Sequence, residues 1–145
     1  MAHTATDKYN LQRFIEAQQT EYATALAEIK QGRKQGHWMW FIFPQALGLG
    51  YTSTSILYSI KDLDEAAAYL NHEVLGKRLV EISNALLTLD TSDAGKVFGS
   101  SDNMKLRSSM TLFSLVPGAD KVFQSVLDKF FNGGKDEMTL ELLEG

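Results

Sequence analysis

The sequence predicts an all-α fold, a compact multihelical single domain. Three observations lead there. Apolar residues recur at three- and four-residue spacing through most of the 145-residue chain. Side chains able to cap helices, mostly Asp, Ser and Asn, stand ahead of several of those stretches. No run alternates convincingly enough to demand a sheet. One apolar, aromatic run, Trp38–Phe43, has the character of a strand. A minor two-stranded element, pairing it with the stretch near Ile56–Ile60, is therefore the one departure the pattern allows.

The elements follow in order. Leu11, Phe14, Ile15, Tyr22, Leu26 and Ile29 share one helix face, with Asp7 or Asn10 as the cap and Gly32 as the stop. Residues 1–9 are expected to be a flexible N-terminal segment. The stretch Gly32–Tyr51 holds four of the eleven glycines and one of the two prolines, and is expected to be irregular at both edges. Asp62 or Asp64 caps a short alanine-rich helix to about Leu70. A longer amphipathic helix, Val74–Leu89, turns Leu75, Leu79, Ile82, Leu86 and Leu89 inward. Thr91, Ser92 and Asp93 mark a turn, and Ser101 and Asp102 are the cap candidates for a helix to about Leu115. Pro117-Gly118 breaks the chain. Asp120 then opens a helix carrying Val122, Phe123, Val126, Leu127, Phe130 and Phe131, which Asn132-Gly133-Gly134 ends. A last helix spans about Glu137–Leu143.

Composition excludes several classes. The net charge of −4, from 14 basic and 18 acidic side chains, argues against general electrostatic binding to nucleic acid. No cysteine is present, so there is no disulfide framework, thiol nucleophile or Cys-containing zinc site, which is compatible with a reducing cytoplasm. The N-terminus lacks a basic region followed by an apolar stretch, so no secretory signal is expected. The apolar run Trp38–Phe43 is too short to span a bilayer. Charge is nonetheless uneven: no acidic residue lies between Glu28 and Asp62, while Lys30, Arg33 and Lys34 fall inside that window. Such a basic island can attract a single anionic ligand, or can simply complement the C-terminal end of a helix dipole.

The segment Gly32-Arg33-Lys34-Gln35-Gly36-His37-Trp38-Met39-Trp40-Phe41-Ile42-Phe43-Pro44-Gln45 contains both tryptophans of the chain. Indole faces stack planar rings at about 1–3 kcal/mol per base, while Arg33, Lys34 or His37 would contact an attached anion. The same aromatics read equally as core anchors, each worth roughly 1.5–3 kcal/mol on burial. A second block, Phe98-Gly99-Ser100-Ser101-Asp102-Asn103-Met104-Lys105-Leu106-Arg107-Ser108-Ser109-Met110, offers backbone N–H donors to an anion if its helix starts near Asp102. Lys105 and Ser109 share a face at the spacing of a lysine-activated serine. Arg107 lies off the Leu106, Met110, Phe113 stripe and is either solvent-facing or turned into a polar cleft.

Other signatures fail. His72-Glu73-Val74-Leu75-Gly76 has glycine where a zincin helix needs its second histidine, and the chain's three histidines, His3, His37 and His72, have no carboxylates at helpful spacing. No metal or cofactor is expected. Gly48-Leu49-Gly50-Tyr51-Thr52-Ser53 lacks the third glycine of a dinucleotide fingerprint and reads as a flexible turn. Neither a Walker loop nor a nucleophile elbow occurs.

Taken with Leu11-Gln12-Arg13-Phe14, Ala17-Gln18, Leu49-Gly50, Ala68-Tyr69-Leu70, Val74-Leu75-Gly76 and Arg78-Leu79, the His37–Gln45 and Lys105–Phe113 blocks resemble a bacterial family, domain-of-unknown-function family eighteen-ten. The resemblance covers nearly the whole chain. It implies a compact, mainly helical domain and carries over no activity or catalytic residue. Members often bear a calpastatin label. Calpastatin is a long, disordered inhibitor of calcium-dependent proteases, whereas the aromatics and amphipathic stretches of this chain describe a folded core. Gly36 stands where the family pattern has serine, and Glu73 where it has proline.

The functional expectation is a cytoplasmic protein that binds a small anionic, phosphate-bearing, nucleotide-like ligand. Its site is drawn from Arg33, Lys34, His37, Trp38, Trp40, Gln45, Lys105, Arg107, Ser108 and Ser109. His37 is the candidate acid or base should a reaction occur there, because imidazole titrates near neutrality. The alternative is a non-enzymatic module whose aromatic and basic segment contacts another protein.

Overall fold

A computed structural model describes residues 7–144 and gives eight helices: α1 Gln12–Lys30, α2 Met39–Ile42, α3 Ser53–Leu57, α4 Leu63–Asn71, α5 Leu75–Leu87, α6 Ala94–Ser114, α7 Val122–Phe131 and α8 Glu137–Glu144. The fold is all-α. Most boundaries have a visible cause. The Asp7 carboxylate accepts from the backbone N–H groups of Leu11 and Gln12 at 2.7 and 3.1 Å, satisfying the free donors ahead of α1, and Gly32 ends that helix at φ 82°. The expectation of a flexible start falls, for residues 1–6, outside the described residues. Asp62 caps α4 through the Glu65 N–H, and Asp120 accepts from Val122 N–H at the head of α7. His72 Nδ1 accepts from the N–H groups of Val74 and Leu75, so this histidine opens α5. Asn132 and Gly133, both at positive φ, close α7.

Three expectations need correction. Trp38–Phe43 is a single helical turn around α2, and the pairing with the Ile60 region falls just beyond it, as one parallel bridge between Ala46 and Ile60. Ile60 N–H donates to Gln45 O and Leu47 N–H to Ile60 O. The stretch read as a flexible turn leads into α3, whose cap is the Thr52 hydroxyl, accepting from Ser55 N–H at 3.1 Å. Finally α6 begins at Asp93, whose carboxylate accepts from Gly95 and Lys96, and not at Ser101 or Asp102. The missed turn precedes a break at Gly99 (φ 87°, ψ 171°), a conformation essentially reserved for glycine, after which the helix resumes.

An aromatic spine joins four helices. Phe14 of α1 meets Tyr69 of α4 edge-on at 5.1 Å, Tyr69 meets Phe113 of α6 at 5.3 Å, and Phe113 meets Phe123 of α7 at 5.8 Å. α4 and α5 approach so closely that a Cβ on Gly76 would stand 2.0 Å from the Leu70 carbonyl oxygen. Several polar groups inside this core are paired. Arg13 bonds the fully buried Glu65 at 2.9 Å, while Gln18 donates to Phe41 O and the Tyr69 hydroxyl. Burial pushes the Tyr69 phenol well above its ordinary range, which keeps it neutral. Among the described residues no helix is long and apolar enough to cross a membrane.

Candidate functional site

The loop between α1 and α2 is held in place from the α1 side by one oxygen. Glu28 Oε1 accepts from the backbone N–H of Gln35 at 2.8 Å, that of Gly36 at 3.0 Å and the Trp38 indole N–H at 2.9 Å. Partial burial pushes the Glu28 carboxyl up, but these donors and the nearby Lys34 charge outweigh it and leave it below the usual carboxylate range. From the other side, Lys34 N–H donates to Val97 O at 2.7 Å, which ties the loop to the first segment of α6.

This anchoring separates the two tryptophans. Trp38 is fully buried, packed on Phe43 and Phe98 at centroid distances of 6.2 and 6.4 Å, with the Lys34 ammonium 5.0 Å from its ring centre. It is a core anchor and offers no face to a ligand, which corrects its assignment as a stacking platform. Trp40, half-buried, lies two residues on in the same helical turn and so on a different face. The Lys105 ammonium sits 4.7 Å from the Trp40 ring centre.

The two sequence blocks meet at Asp102. Its Oδ2 lies 2.7 Å from Lys34 Nζ and its Oδ1 2.8 Å from Lys105 Nζ. Exposure rises outward along the cluster: 7% for the Lys34 side chain, 18% for Asp102 and 24% for Lys105, so the group opens to solvent from the Lys105 side. Burial raises the Asp102 carboxyl, but hydrogen bonds from both lysines and their charges lower it further, so it is held ionised. This carboxylate goes to lysines, and the helical segment that resumes after Gly99 starts just ahead of Asp102.

The remaining candidates divide. Arg107, two residues from Lys105 and therefore on another side of α6, donates from Nε to Gly134 O at 2.8 Å and stacks over Phe131. It braces the α7–α8 connection. Ser108 returns its hydroxyl to Met104 O, as Thr111 does to Arg107 O. Ser109 behaves differently: it is fully buried and its Oγ has no partner. It lies on the Asp102 and Lys105 face of α6, yet the Lys105 ammonium is bonded to Asp102, so no lysine-activated serine is assembled. Gln45, 4% exposed, has an equally unpartnered Nε2. These are the buried side-chain polar atoms left unpaired among the described residues, and each lies in one of the two blocks. Arg33 and His37 are exposed on the loop around Lys34, and His37 has no hydrogen-bond partner among the described residues.

Sequence reasoning missed Glu28 and the bridging role of Asp102. The signal for the first was present: a glutamate in the last turn of α1, where the helix dipole disfavours negative charge, needs a compensating partner.

A family model described as "Protein of unknown function (DUF1810)" matches residues 8–143. The chain belongs to the DUF1810 family. It is also similar to a solved structure, the conserved hypothetical protein Rv1873 from Mycobacterium tuberculosis, with 42% identity and a TM-score of 0.93, the match covering 96% of this chain and 99% of that one. No curated protein matches this DUF1810 chain.

Proposed function

We propose that this protein binds a small phosphate-bearing ligand, nucleotide-like in joining a planar ring to an anionic group, where the two blocks meet. The observation that carries the reading is the convergence of Lys34 and Lys105 on one carboxylate beside the half-buried Trp40 ring. Arg33 and His37, exposed on the same loop, supply outer contacts, whereas Gln45 Nε2 and Ser109 Oγ are unpartnered but buried, offer a ligand no accessible atom, and are left out. Trp38 is left out because it is fully buried, Ser108 because its hydroxyl returns to Met104 O, and Arg107 because it lies on another side of α6 from Lys105. The reading is one of binding and assigns no reaction. A cytoplasmic location fits the cysteine-free composition. A protein-docking role for the same segment has less support, since Trp38, Met39, Ile42 and Phe43 are internal.

The test is a fluorescence titration with phosphate-bearing metabolites, nucleotides and ADP-ribose among them. The proposal expects saturable change from Trp40, abolished by Trp40→Phe as signal and by Lys105→Met as affinity. Emission unmoved across the panel, with calorimetry equally silent, would set it aside.

A further inference from the structure

Resting on that reading, we infer that Asp102 is an internal competitor for the ligand's anionic group, which a phosphate monoester, through its second charge, displaces more readily than a carboxylate does. Two ammonium groups, on Lys34 and Lys105, each hold a separate oxygen of the same carboxylate, at 2.7 and 2.8 Å. A phosphoryl group offers the same bridging pair of oxygens. A monoanion entering here exchanges one carboxylate for another and gains nothing in charge. A phosphate monoester, which carries close to two negative charges near neutral pH, sets its second charge against the second lysine. The donor geometry needs no rebuilding, because both ammonium groups are already aimed at one anion and each is steadied over an indole ring. Asp102 stands three residues before Lys105 on α6 and is 18% exposed, so its side chain can swing outward without unfolding the helix.

The experiment is calorimetric titration of the wild-type chain and of Asp102→Asn with phenyl phosphate and with benzoate, each variant first checked for a cooperative thermal transition. The expected result is wild-type binding of phenyl phosphate at least tenfold tighter than benzoate. In Asp102→Asn both affinities should rise by a similar factor, tenfold or more, because the displaced carboxylate opposes either ligand alike. Equal wild-type affinity for the two compounds would overturn the inference, even if the variant failed to fold. Phenyl phosphate bound by Asp102→Asn no more tightly than by wild type would also overturn it, leaving the proposed binding function standing. Absence of phenyl phosphate binding to either protein would overturn both.

Discussion

Truncation of Glu28 to alanine tests how the site is held together. One oxygen of this side chain accepts three hydrogen bonds, and their surroundings differ. The Trp38 ring is fully buried, so losing its acceptor leaves an unpaired indole N–H, at a cost of about 1–3 kcal/mol. Gln35 is exposed and Gly36 half-buried, so water replaces the carboxylate at their N–H groups and together they cost about 1 kcal/mol. The sum is roughly 2–4 kcal/mol, equivalent to about 6–16 °C in Tm for a domain of this size. Glu28→Gln keeps a carbonyl acceptor and should lose only about 1 kcal/mol. The sign of the pH dependence follows from the lowered Glu28 carboxyl. Its contribution is complete above the ordinary carboxylate range and is lost as pH falls through that range to the depressed folded value, so the gap between wild type and Glu28→Gln should close in acid. Thermal melts read by near-ultraviolet circular dichroism, which reports on Trp38, measure all three quantities. A Glu28→Ala protein melting within about 2 °C of wild type would refute the view that this carboxylate anchors the loop.

Other substitutions have outcomes set by geometry. Ser109→Ala removes a buried hydroxyl that bonds nothing and should leave urea stability within about 0.5 kcal/mol of wild type. Thr111→Ala is the contrasting control: its hydroxyl accepts from Asp136 N–H at 2.9 Å, and its loss should cost about 1–2 kcal/mol in the same assay. Gly76→Ala drives a Cβ against the Leu70 carbonyl, an obstruction of backbone and not of a flexible side chain, and should cost about 3 kcal/mol or more by urea denaturation. Gly99→Ala meets no neighbour, so its cost is the positive-φ strain alone, about 1–3 kcal/mol.

Helices longer than about two turns were legible because periodicity and caps agree there. Asp62 and Asp120 sit where their helices start, and the Phe123, Val126, Leu127, Phe130 stripe is the buried face of α7. The failures share a cause: short elements whose shape is decided by tertiary contacts. A four-residue turn at Met39–Ile42 carries too few residues to show a period, and its apolar content suits a strand equally well. Asp93 and Ser101 are both competent caps, and only the break at Gly99 explains why a helical turn precedes the expected start. At the site, the sequence picked out both blocks but could not divide their members between core and surface. Trp38 and Trp40, like Lys105 and Arg107, are two residues apart on helical turns, and which of each pair faces the junction depends on the phase of the turn. The Glu28 contribution was invisible because its partners lie seven to ten residues away across a loop.

The most direct test of the claim that the two blocks form one ligand site is amide chemical-shift mapping of the 15N-labelled chain during titration with phenyl phosphate. The predicted result is a set of saturable shifts confined to the Lys34–Trp40 loop and the Asp102–Lys105 turn of α6. Shifts gathered instead around the open cavity at Thr91, Ser92, Gly95, Phe130 and Phe131, with the Lys34–Trp40 loop unmoved, or spread evenly over the surface, would contradict it.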